Sequence, residues 1–232
     1  DVPWSPTFDY MTDVVRPAFA RLGLHFEAEA TSRGFYPKGG GNVRARIEPC
    51  RKLESVAQTT PGEAARVKVI SRSSGLPGHV RERQMNAAAE ALQRAGIQIG
   101  EKSLFEDQAV SPGSSLLLSS VTPDSCLGSD SIGARGKPAE LVGSEAAGAF
   151  VKAAKSGAMF DSHLADMVIP LLSLSDSQSA VRVPEITPHL DSGLRLANLF
   201  TGCTYEIVKQ VGSTIVRMSP SPDISTRLQH NQ

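Results

Sequence analysis

His163 stands in Phe160-Asp161-Ser162-His163-Leu164-Ala165-Asp166, with one carboxylate two residues before it and another three residues after. A neutral imidazole beside a carboxylate is a good nucleophile or base. The apolar spacing that follows predicts a helix from about Ser162 to Ser173, which puts His163 at a helix N-terminus, where an incoming phosphate is favoured. A histidine merely held in a helix cap fits the same residues. The other four histidines suit chemistry less: His25 on the polar face of a strand, His79 in a turn, His189 in a first helical turn and His230 in a polar tail. No two are spaced as metal ligands on one helix face, and neither a glycine–lysine phosphate loop nor a nucleophile-elbow serine is present.

The second stretch with chemical potential is Arg33-Gly34-Phe35-Tyr36-Pro37-Lys38-Gly39-Gly40-Gly41-Asn42-Val43. A turn between strands needs two to five residues and typically one glycine. Three consecutive glycines cost backbone entropy. Their gain is close approach: bare N–H groups reach an anion, and Arg33 and Lys38 add charge. A phosphate-facing loop and a long flexible hairpin tip both fit this composition.

The elements around these stretches follow from periodicity. Tyr10, Met11, Val14, Val15, Ala18, Phe19 and Leu22 form one helical stripe, bent or split by Pro17. Two alternating strands, 24–31 and 43–48, flank the glycine loop. The same order of helix, strand, glycine turn and strand recurs at 187–218, an internal repeat. Its second copy makes the turn without the arginine and triglycine.

Between the copies, 51–65 reads as polar loop, 66–71 as strand, 80–95 as helix and 97–104 as strand. The continuous apolar run Ser114–Val121 reads as a strand buried on both faces. Residues 128–136 read as a glycine- and serine-rich loop, and Pro138 opens a helix to about Ser156. Val181–Ile186 reads as a strand.

The 232 residues carry zero formal net charge, so no global field draws a polyanion; any such site must be local. Three distant cysteines fit neither a disulfide framework nor a metal site. They favour a reducing, cytoplasmic setting. No apolar run is long enough to span a membrane, and no membrane partner is expected. The start at Asp1 suggests a fragment or a processed chain.

Together, the stretch 33–43 and His163-Leu164-Ala165-Asp166 resemble the signature and the histidine segment of the RNA 3′-terminal phosphate cyclases. Residues 128–140 are similar to the entry that precedes that segment, and Pro3–Tyr10 looks like a segment placed near adenosine. The resemblance covers nearly the whole chain.

It implies an α/β (α+β) fold of βαβαββ repeats with a small inserted thioredoxin-like α/β domain. The implied division is 1–50 as the end of a second repeat, 51–113 as the insert and 114–232 as a third repeat. The first repeat and the start of the second are absent, so this piece alone is expected to be inactive. The implied activity is ATP-dependent conversion of an RNA 3′-phosphate to a 2′,3′-cyclic phosphate, with a divalent cation (Mg or Mn) and a covalent histidine–AMP on His163.

Pro6 and Tyr10 would pack on adenosine, and Glu145 would contact it. Asp166 would orient His163. Arg33, Lys38, Gly39, Gly40 and Gly41 would hold RNA or nucleotide phosphates, and no residue is assigned to metal. A non-catalytic relative serving as an RNA-binding or ribosome-assembly factor is the alternative. Oligomeric state is left open.

Overall fold

The computed structural model describes residues 1–62 and 66–221. The chain opens on a helix in three pieces: α1 (Phe8–Tyr10), a π-helical turn (Met11–Val15) and α2 (Arg16–Arg21). Thr7 caps it by accepting from the Tyr10 N–H. The wide turn absorbs Pro17, which lacks the N–H that a regular α-helix would need there. Two antiparallel strands follow, β1 (Phe26–Ser32) and β2 (Asn42–Ile47), alone in a two-stranded sheet.

A short strand β3 (Ala57–Gln58) lies in a stretch that composition assigns to loop. It pairs in parallel with β8 (Ser179–Val183), and β10 (Ser213–Ser219) and β9 (Thr204–Gln210) complete the sheet in the order β3-β8-β10-β9. A second four-stranded sheet holds β4 (Val67–Ser74), β5 (Ile99–Asp107), β6 (Gly113–Thr122) and β7 (Ser125–Ile132), in the order β5-β4-β6-β7. Helices α3 (His79–Arg94) and α4 (Ala139–Lys155) cover one of its faces.

Side chains alternate across this second sheet. Val67, Val69, Leu116, Leu118 and Leu127 face α3 and α4, whereas Ile70, Leu117 and Cys126 join the core built by Tyr10, Val14 and Leu164. The apolar run of β6 is therefore buried from both sides.

Two further expectations change. Residues 128–136 are not a loop throughout: Gly128 to Ile132 belong to β7, paired with β6. Gly128 is there because a Cβ would lie 2.5 Å from Val14 Cγ2 and 2.8 Å from Tyr10 Cε2, so the absence of a side chain lets the first helix close onto the sheet. The helix expected over 162–173 is α5 (Ser162–Val168) followed by a 3₁₀ turn (Ile169–Leu174), since Pro170 removes a donor. Strand β4 pairs with β6 from Lys68↔Ser119 to Ser74↔Gly113.

The helix–strand–strand repeat is present in both places. α6 (Pro188–Thr201) begins after the capping Thr187 and ends on Gly202 at φ 72°; the first copy begins after Thr7 and passes Gly23 at φ 77°. The fold is mixed α/β, and among the described residues no helix is long and apolar enough to cross a membrane.

Candidate active site and glycine loop

His163 is the second residue of α5 and is exposed. The turn beneath it is fixed by Asp161, whose buried carboxylate accepts four hydrogen bonds. Oδ1 receives the His163 N–H and the Leu164 N–H, both at 3.1 Å, and the Tyr10 hydroxyl at 2.8 Å. Oδ2 receives the Gly128 N–H at 2.8 Å. Burial pushes the Asp161 carboxyl up from its ordinary pKa, and these donors oppose the rise. Burial, and then the neighbouring Asp161, push Tyr10 well above the usual phenol value.

The other carboxylate near His163 is engaged elsewhere. Asp166 Oδ1 accepts the Thr187 hydroxyl at 2.5 Å, and Thr187 in turn caps α6 by accepting from the Leu190 N–H. This contact latches α5 to α6. The carboxylate that holds His163 is Asp161, through the backbone N–H.

The glycine loop is built rather than slack. Phe35 is 1% exposed, and its ring lies where a Cβ on Gly113 would come within 2.3 Å of Cγ. The Gly39 N–H donates to the Phe35 carbonyl at 2.9 Å, and the Lys38 N–H donates to Ser111 Oγ at 3.1 Å. Gly34 passes so near Gly41 that a Cβ would meet its nitrogen at 2.4 Å. Gly39 and Gly40 take φ of 66° and 80°, a left-handed backbone that glycine adopts without strain. From this frame Tyr36, Pro37 and Lys38 stand out into solvent, with Tyr36 66% exposed.

Arg33 does not share that exposure. Its Nη2 lies 2.7 Å from Asp9 Oδ2 and 3.2 Å from Asp1 Oδ2, and its guanidinium sits 5.2 Å from the Phe8 ring centroid. Asp9 also accepts from Arg72 Nε of β4 at 2.7 Å. Arg33 is thereby committed to an internal ion-pair network.

The two stretches meet through one helical turn. Asp9 holds the glycine loop by Arg33, the next residue Tyr10 holds the His163 turn by Asp161, and the Thr7 N–H donates to Asp130 of β7 at 2.7 Å.

Of the residues expected near adenosine, Pro6 is half-buried at the mouth of this helix. Tyr10 is fully buried, so its ring serves the core and offers no face to a ligand. Glu145 is exposed but paired with Lys137 and accepts from Ser131 Oγ at 3.0 Å; the lysine holds its carboxyl below the usual range. Among the described residues, no group of three His, Cys, Asp or Glu is gathered to hold a metal.

Asp161, Asp9, Arg72 and Asp130 carry the architecture, yet no local motif singles out the last three. Asp161 does have a local signal: an acidic residue immediately before an apolar-periodic helix is a favoured cap.

Comparison with known proteins places the sequence in a family. A family model described as RNA 3′-terminal phosphate cyclase matches residues 1–207. A protein of that name from Methanopyrus kandleri is 37% identical over 213 residues, 89% of this chain and 60% of the relative. One from Pyrococcus abyssi is 36% identical over 212 residues, covering 91% and 61%. One from Caldivirga maquilingensis is 34% identical over 225 residues, covering 95% and 64%. The chain thus spans about three fifths of the length of the curated relatives it matches. On the extent of these matches, the chain belongs to the RNA 3′-terminal phosphate cyclase family.

Proposed function

We propose that this chain is the histidine-bearing portion of an ATP-dependent RNA 3′-phosphate cyclase. The observation that carries the reading is His163: an imidazole left in solvent on a turn whose backbone is held by a buried, four-times-bonded carboxylate. A ring that is free while its mount is fixed suits a nucleophile.

In this reading an imidazole nitrogen attacks the α-phosphorus of ATP. A P–N bond forms, the bond to the bridging oxygen breaks, and pyrophosphate leaves with the electron pair. The imidazole proton passes to solvent. An oxygen of the RNA 3′-phosphate then attacks the same phosphorus and breaks the P–N bond. Last, the adjacent 2′-hydroxyl attacks the activated 3′-phosphorus, AMP leaves, and the hydroxyl proton is released. That step needs little beyond orientation, because the nucleophile is already tethered.

The exposed Lys38, with the backbone of Gly39, Gly40 and Gly41, would receive RNA phosphates. Arg33 enters as the anchor of that loop through Asp9 and Asp1. Pro6 would contact adenosine, and Glu145 would do so by exchanging its bond to Lys137. We also read 67–155 as the inserted thioredoxin-like module, interrupting a βαβαββ unit of β3, α5, β8, α6, β9 and β10. The shared sheet β5-β4-β6-β7 and its own core support that division.

The test is incubation of the full-length protein with α-labelled ATP. Label on the wild type and none on His163→Ala, with unchanged thermal unfolding, is the expected result. An unlabelled wild type that still binds 3′-phosphorylated RNA would replace the enzyme by a binding factor.

A further inference from the structure

We propose that Tyr10 and Asp161 are positioning residues for His163, forming a buried mount through which the first helix sets where the imidazole stands. The inference rests on the reading of His163 as nucleophile. Three segments distant in sequence converge on one carboxylate: α1 through the Tyr10 hydroxyl, β7 through the Gly128 N–H and α5 through the His163 and Leu164 N–H groups. Two of those donors are 151 and 33 positions from Asp161.

A helix cap alone requires none of the distant donors. Asp161 would cap α5 equally well from a solvent-facing turn, as Thr187 caps α6 with only a local N–H and the Asp166 contact. Here the cap is buried, and Tyr10 is 0% exposed and packed in the core. A phenylalanine would fill the same volume without a hydroxyl to satisfy. The hydroxyl therefore contributes direction: it fixes the lateral position of Oδ1, while Gly128 fixes Oδ2.

A carboxylate pinned at both oxygens cannot rotate, and the His163 N–H follows it. Gly128 makes this closure feasible, since any side chain there would collide with Val14 and Tyr10. Misplacement of a reacting group by about 1 Å can cost about a hundredfold in rate, so loosening the mount should register in the chemistry before it registers in the fold.

The test uses the full-length protein and the single-turnover rate of label transfer from α-labelled ATP to His163. Tyr10→Phe is expected to lower that rate roughly tenfold, with the ATP concentration for half-maximal rate unchanged. In a His163→Gly background supplied with free imidazole, Tyr10→Phe should have no further effect, because there is no mounted ring to misplace. A raised half-saturating ATP concentration with an unchanged rate, or an equal loss in the imidazole-rescued background, would mean that the hydroxyl acts on nucleotide binding or on the fold at large and not on the placement of the ring, and would overturn the proposal.

A readout independent of activity accompanies these. The imidazole resonances of His163 should move in Tyr10→Phe while those of His25 and His79 stay. If they do not move, the mount does not act on His163. If the wild type takes no label at all, the nucleophile reading fails, and the resonances alone decide whether the mount exists.

Discussion

Phe35 lies against Gly113 so closely that a Cβ on the glycine would meet Cγ of the ring at 2.3 Å. The contact seats the glycine loop on the first residue of β6, and it turns a glycine-rich sequence into a fixed platform.

Gly113→Ala is accordingly expected to destabilise by about 1–3 kcal/mol, the usual cost of forcing a side chain into a filled site. Denaturant unfolding of the variant measures it. Limited proteolysis should then cut at 36–41 faster than in the wild type.

Lys38 and Arg33, five residues apart, should behave differently. Lys38→Ala removes an exposed cation, so stability should stay within about 0.5 kcal/mol. Binding of single-stranded RNA should weaken, and the slope of log affinity against log salt should shrink by about 0.7. Arg33→Ala leaves Asp9 with Arg72 as its remaining cationic partner, and a loss of about 3 kcal/mol is expected in thermal or denaturant unfolding.

Asp161→Ala strips the partners from a buried tyrosine hydroxyl and a buried N–H and removes a helix cap. The expected loss is about 3 kcal/mol or more. Tyr10→Phe, which leaves Asp161 its backbone donors, should cost about 1 kcal/mol. Parallel denaturant curves distinguish the two.

The three thiols differ in access. Cys50 is exposed, whereas Cys126 and Cys203 are buried, and burial pushes the Cys126 thiol up to about 11. At pH 8 a thiol-reactive chromophore should therefore label one cysteine per folded chain and three after unfolding. Cys50→Ser should abolish the fast phase.

Much of this was legible in the sequence where periodicity is strong. The amphipathic stripe of Tyr10, Val14 and Leu22, the alternation in 24–31 and the apolar run of β6 announce their elements, because burial repeats at a fixed interval. The strand β7 did not, since its Ser125, Ser129 and Gly128 match loop composition. They sit in a strand because Gly128 admits the first helix and the β6 backbone satisfies the ladder.

The site divided in the same way. His163 and the glycine loop stand out as local patterns. The fate of Arg33 did not, because its partner Asp9 lies 24 positions away and only tertiary structure brings them together. For the same reason Tyr10 could not be told from a ligand contact: an aromatic at helical spacing looks alike whether its hydroxyl meets Asp161 or solvent.

The strand β3 has a consequence for how the molecule is made. Its first residue pairs with Ala180, and the neighbouring Val56 N–H donates to Ser179 Oγ, 123 positions further on. On the ribosome, β3 emerges with no partner and waits until β8 has been synthesised. Meanwhile β4 through α4 can collapse around their own apolar centre, because those contacts need nothing made later. Closing so long a span costs chain entropy before it returns any contact. Topology thereby constrains assembly: the sheet β3-β8-β10-β9 can close only after β8 is made, whereas the strands and helices that lie between β3 and β8 in sequence need not wait for it.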